Sequence, residues 1–187
     1  MRFVRISFVA VVLAVTTLAG ASAFAGGWTR GDEVPAVMFK GSGTGGLKLE
    51  GKTNQLNVTD DGKTLGVVVT LTALETGISL RDKHMREKYL EVGKFPEAKL
   101  EIAKDKLGAT DAGKPVSVET KGNLTLHGVT KEAAFKYSGS CDAAGLCTVD
   151  GDLALDMHDY GINVPTYLGI TVKPDVSVHV HFVVKKP

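Results

Sequence analysis

The chain has 187 residues, 22 basic and 21 acidic side chains, a formal charge of +1, and only 6% aromatic residues. With no basic excess to neutralise phosphates, this balance disfavours nucleic-acid binding and polybasic anchoring to an anionic membrane. Two cysteines with no further Cys or His at ligand spacing beside them, and no Cys-x-x-Cys-His, argue against a cysteine-based zinc site or attached haem.

The chain begins with an address label. Arg2 and Arg5 precede an apolar run from Ile6 to Leu18, and both Ala21-Ser22-Ala23 and Ala23-Phe24-Ala25 offer a small-x-small cleavage pattern. The run is shorter than the roughly 20 residues a membrane span needs, and no cysteine follows it for a lipid anchor. The expectation is a cleaved signal peptide over residues 1–25 and one mature domain over 26–187, exported and not membrane-integral. Loss of Arg2 and Arg5 leaves 20 basic against 21 acidic groups.

From there the apolar residues alternate. Candidate strands cover Val34 to Lys40 and Leu47 to Val58. Leu65, Val67, Val69 and Leu71 then share one face, followed by Ala98, Leu100 and Ile102. Val116, Val118, Leu124 and Leu126 continue the pattern, then Val149, Leu153, Leu155 and Met157, and last Val176, Val178, Val180, Phe182 and Val184. Period two with one apolar face marks antiparallel strands over a core. Asp60-Asp61-Gly62, Gly113-Lys114-Pro115, His127-Gly128 and the cysteine loop supply the turns. About eight strands follow, in an all-β chain that closes as a barrel or stacks as a sandwich.

One segment breaks the period. Ser79 and Asp82 read as a capping-box-like helix start, Met85, Tyr89 and Val92 share one helical face, and Gly93 is a natural stop. This short helix, inserted after the third strand, also gathers Arg81, Asp82, His84 and Arg86. Arg81 either meets a ligand phosphate or carbonyl with its forked donors, or pins the loop through Asp82 or Glu75. His84 could orient a head group, hold structure or move a proton, but no nucleophile motif accompanies it. His127 is expected as a turn residue.

His179-x-His181 is the one metal-like spacing. Its opposite face, Val178, Val180 and Phe182, is the one that should line the core, so the histidines face outward on a solvated strand, with metal binding as the alternative. Cys141 and Cys147 are expected to pair across a five-residue loop in an oxidising compartment, stapling a hairpin. Beyond the leader only four Phe, four Tyr and one Trp remain. So slim a lining favours a lumen that holds one small ligand over one plugged by side chains. A tunnel without catalytic groups points to carrying, not converting.

Thr76-Gly77-Ile78-Ser79-Leu80-Arg81-Asp82-Lys83-His84-Met85, then Lys88-Tyr89-Leu90 and Lys94-Phe95-Pro96, resembles the YceI-like family. So do the run from Gly122 to Lys131, Tyr160-Gly161-Ile162 and Tyr167-Leu168-Gly169. The resemblance implies an eight-stranded, antiparallel, lipocalin-like barrel in the bacterial periplasm. It also implies a polyisoprenoid or similar long-chain amphiphile in the lumen, and the leading reading is a carrier with no cofactor and no covalent chemistry. Arg81, Asp82 and His84 would shape the mouth or support the helix, and Tyr89, Leu90 and Phe95 would pack at it. The chain departs from the commoner pattern after Glu33 to Lys40, where Gly41-Ser42-Gly43-Thr44-Gly45-Gly46 replaces a longer amphipathic continuation. Competing readings are a stress-response interaction module whose barrel is filled by Phe39 and Phe182, and a His-based metal protein or enzyme. A homodimer is left open.

Overall fold

The computed structural model describes residues 27–108, 113–167 and 169–187. The expected leader and its cleavage points lie outside the described residues. In chain order the strands are β1 (Thr29–Arg30), β2 (Ala36–Gly43), β3 (Lys48–Thr53), β4 (Leu56–Asp60) and β5 (Thr64–Thr70). Helix α1 (Ser79–His84) follows, then β6 (Glu97–Ala103), β7 (Val116–Leu126), β8 (Val129–Cys141), β9 (Leu146–Asp156), β10 (Thr166–Tyr167) and β11 (Ile170–Lys185).

Eleven described strands replace the expected eight for two reasons. Strands β1 and β10 are two residues each, too short to show any period. The run from Leu47 to Val58 splits at Asn54-Gln55, where the Gln55 N–H turns back to Thr53 Oγ1 at 3.1 Å. The helix therefore follows the fifth described strand, although its place in the chain is the expected one.

All ladders are antiparallel, in the order β3-β2-β11-β9-β8-β7-β6-β5-β4. From β4 to β9 every neighbour in space is a neighbour in sequence. The register places Leu65, Val67 and Val69 opposite Ile102, Leu100 and Ala98, so apolar residues of adjacent strands share one face and line an interior. The barrel is nearly closed. No described ladder joins β3 to β4, and other groups span that seam. Lys52 and Glu75 exchange backbone hydrogen bonds of 2.8 and 3.0 Å, and β1 pairs with the end of β11 while the Trp28 N–H donates to Asp60 at 2.8 Å.

Two apolar clusters form the core. One gathers Val37, Leu56, Val58, Phe182, Val184 and the half-cystines, with Trp28 and Leu107 against it. The other gathers Leu71, Leu124, Leu126, Tyr160 and Ile162, with Tyr89, Leu90 and Val92 against it. Gly51 is required by the first strands' packing, because a Cβ there would lie 2.1 Å from the Phe39 ring. The cysteines are directly opposed in the β8–β9 ladder and bonded, with Cα atoms 3.9 Å apart, as the spacing predicted.

Candidate functional site

The barrel encloses a lumen of about 870 Å³. Its walls are the alternating residues: Leu65, Val67 and Val69 of β5, Leu100 and Ile102 of β6, Leu153 and Leu155 of β9, and Val176, Val178 and Val180 of β11. Phe39 and Phe182 line this space without filling it. At one end the lining runs to Trp28, Leu107, Cys147 and Val184, the packed end. At the other it reaches Ile78, Leu80, Arg81, His84, Met85, Lys88 and Ile170. Ile78, Leu80 and Ile170 are 53%, 64% and 42% exposed. A residue that borders a lumen and still meets solvent marks an opening, so this end is the mouth.

Thr76 organises the mouth. Its N–H donates to Asp82 Oδ1 at 2.7 Å, and its hydroxyl donates to the same oxygen. Arg81 in turn donates through Nε to Thr76 Oγ1 at 2.7 Å and through a terminal nitrogen to the Thr76 carbonyl at 3.0 Å. Arg86 donates to the Leu74 carbonyl at 3.1 Å, tying the helix to the segment that bridges the seam. Asp82 is 7% exposed. Burial alone would push its carboxyl up, but the two Thr76 hydrogen bonds, with Arg86 and Arg81 nearby, hold it below the ordinary carboxylate value.

This geometry corrects the expected helix start. Ser79 is the first helical residue; Ile78 holds the N-cap position, with no side-chain cap. The Asp82 carboxylate, needed for a capping box, is committed to Thr76. The helix also ends earlier than Gly93. It passes into a π-helical turn at Met85–Tyr89, closed by the Leu90 N–H on the Met85 carbonyl at 2.9 Å, and Glu91 takes the left-handed conformation with φ 44°.

Of the residues singled out from sequence, Arg81, His84, Tyr89 and Leu90 border the lumen. Asp82 is not among the bordering residues and holds the Thr76 loop instead. Phe95 also lies off the lining, edge-on to His127 with ring centres 4.7 Å apart. His127, with φ 51°, is the expected turn residue. It also joins distant parts of the mouth, meeting the Tyr160 carbonyl at 3.1 Å and Glu91 at 3.1 Å.

Outside the barrel, His179 Nδ1 meets Asp152 at 2.9 Å, and His181 meets Asp150 at 2.7 Å and Glu33 at 3.4 Å. The Asp150 hydrogen bond is the main cause of a raised His181 imidazole, with Glu33 assisting against partial desolvation. No group of three or more metal-ligating side chains occurs among the described residues. Thr76, Ile78, Leu80, Met85 and Lys88 were not singled out as site residues from sequence. The signal for Ile78 and Leu80 was two aliphatics in the most charged segment of the chain.

Residues 28–184 match the family described as YceI-like domain. The chain belongs to the YceI-like family. It is 30% identical over 165 residues to a UPF0312 protein of Vibrio parahaemolyticus, covering 80% of this chain and 82% of that one. It is 32% identical over 119 residues to a UPF0312 protein of Pseudomonas savastanoi, where the match spans 59% of the relative's length.

Among solved structures, it resembles a polyisoprenoid binding domain from Saccharophagus degradans implicated in plant cell wall breakdown. The TM-score is 0.71 at 17% identity, over 86% of this chain and 98% of that one. Burkholderia cenocepacia BcnA gives a TM-score of 0.62 at 14% identity, over 81% and 96%. These neighbours share the barrel fold. No helix among the described residues is long and apolar enough to cross a membrane.

Proposed function

We propose that this YceI-like chain is a periplasmic carrier or buffer that holds a long-chain isoprenoid-type lipid, polyprenyl or quinone-like, and does not convert it. The observation that carries this reading is the lumen itself, about 870 Å³ of largely apolar wall open at one end. Each CH₂ moved from water into such a wall gains roughly 0.8 kcal/mol before ordering costs. A long unbranched or isoprenoid tail is the ligand that uses this wall best. A structural neighbour that is a polyisoprenoid binding domain supports the ligand class.

The polar end of the ligand would sit among Arg81, His84 and Lys88, the cations and imidazole at the mouth. Tyr89 and Leu90 would pack against its first carbons. Asp82 and Phe95 serve by position, one through Thr76 and the other through His127. The leader sequence and the Cys141–Cys147 disulfide support export to an oxidising compartment.

Native mass spectrometry of protein purified from its own host, followed by organic extraction, tests the reading. A bound species of one lipid mass per chain is expected. An empty lumen, with a melting temperature indifferent to polyprenols, quinones and fatty amides, would overturn it.

A further inference from the structure

We infer that the mouth of the barrel is a docking face for a lipid bilayer carrying anionic headgroups, so that ligand passes between membrane and lumen without crossing water. The purpose of such docking rests on the lipid-carrier reading; the surface itself rests on two independent observations.

The first is where exposed aliphatic side chains occur. Ile78, Leu80 and Ile170 are large hydrophobics left open to solvent and also bordering the lumen. The other large exposed hydrophobics among the described residues, Val34, Met38 and Leu146, do not border it. Ile78 and Leu80 come from the helix insertion and Ile170 from the start of β11, so unrelated parts of the chain converge on one apolar rim. Apolar side chains set around an opening are suited to shallow insertion below the headgroups.

The second is charge. The described segments around the mouth carry Lys48, Arg81, Lys83, Arg86, Lys88, Lys94, Lys131 and Lys173 against Glu75, Asp82, Glu87, Glu91, Asp156 and Asp159, and Glu91 and Asp159 are paired with Lys94 and Lys131. Asp82 is buried and engaged by Thr76. The lysines are exposed, and Lys48, Lys83 and Lys173 make no ion pair among the described residues. Taken whole, the chain is close to neutral and offers an anionic surface nothing, but exposed lysines without an ion pair among the described residues stand beside the aliphatics. Basic residues beside an inserted apolar rim add attraction to anionic lipid that fades with salt. A second copy is the poorer occupant. Two mouths face to face would set one ring of lysines against another.

Vesicle flotation decides between these. Purified protein is expected to float with vesicles of phosphatidylcholine containing 30% phosphatidylglycerol at 50 mM salt. Recovery should fall at least fivefold with pure phosphatidylcholine vesicles or in 500 mM salt. The triple variant Lys48→Glu/Lys83→Glu/Lys173→Glu should lose flotation at least tenfold and still take up the neutral apolar dye N-phenyl-1-naphthylamine, because none of the three borders the lumen. Ile78→Ser/Leu80→Ser should lose flotation as well.

Wild-type protein that stays at the bottom of the gradient overturns the inference. So does flotation unchanged by either variant, or a dimer in sedimentation that Ile78→Ser/Leu80→Ser converts to monomer without any vesicle binding. Failure of dye uptake by the wild type would instead strike the lumen reading, so the two failures are separable.

Discussion

The two ends of the barrel are built on opposite terms. At the packed end, charge is buried in matched sets. Asp60 accepts from the Trp28 and Gly62 backbone and from Lys104. Burial pushes its carboxyl up, and these partners outweigh that and hold it below the ordinary value. A disulfide, an indole with Lys186 over its ring, and Val184 at 1% exposure complete that end. At the mouth, one hydroxyl joins Arg81 to Asp82, a π-helical turn ends the helix, and three aliphatics stand in solvent. The contrast is that the exposed aliphatics bordering the lumen all lie at one end, while the other end is closed by buried side chains.

Removing charge at the packed end should test this most severely. Asp60→Ala leaves the Trp28 N–H and Lys104 without their acceptor and is expected to cost about 3 kcal/mol, read by urea titration. A loss under about 1 kcal/mol would mean that Asp60 does not hold that end. Next in size, Cys141→Ser/Cys147→Ser should cost about 2 kcal/mol, as expected for a short loop. The same protein with and without reductant provides the check.

At the mouth the expected global effect is smaller and the local one larger. Thr76→Val should cost about 1 kcal/mol but speed hydrogen exchange across residues 76–90 well beyond any change in β8 and β9, and shorten lipid retention. Uniform exchange would erase the distinction between the ends.

Acidity separates the contributions by sign. Asp60 and Asp82 have folded-state values below the ordinary 3.8, so their stabilisation is present above that value and is lost as pH falls through the folded values. His181 runs the other way. Its value is raised above 6.5, so its contribution is complete below 6.5 and fades as pH rises through the folded value. Thermal melts of His181→Gln against wild type should therefore differ more at pH 5.5 than at pH 8.5. Equal differences would remove His181 from the account.

Much of the barrel was legible because period two is a local property. The sequence alternation of Leu65, Val67 and Val69, or of Val176, Val178 and Val180, is the lumen wall seen edge-on. The disulfide and the place of the helix were legible for the same reason, since each lies within a short stretch of chain. What escaped depends on partners set by register or by tertiary approach. Asp152 beside His179 and Asp150 beside His181 come from β9, about 30 residues away, and Glu33 comes from near the start of the described chain; alternation does not reveal which strand lies alongside. Ser79 and Asp82 fit a capping box until Thr76, in the preceding loop, supplied better donors for the carboxylate. The link from His127 to Glu91 and Tyr160 likewise exists only once three segments meet.

Strand β11 bonds to β9, β2 and β1, and it is synthesised after all the other described strands. Strands β4 to β9 can pair one after another as they emerge, each with its predecessor. The hairpin of β2 and β3 must wait for residues 170–185 before it has a neighbour on its other side. Closure is therefore a long-range event that cannot precede synthesis of residues 170–185. A nascent chain stalled before Ile170 would hold a curved, half-wetted sheet with no inside, and its greasy face would need shelter until β11 arrived.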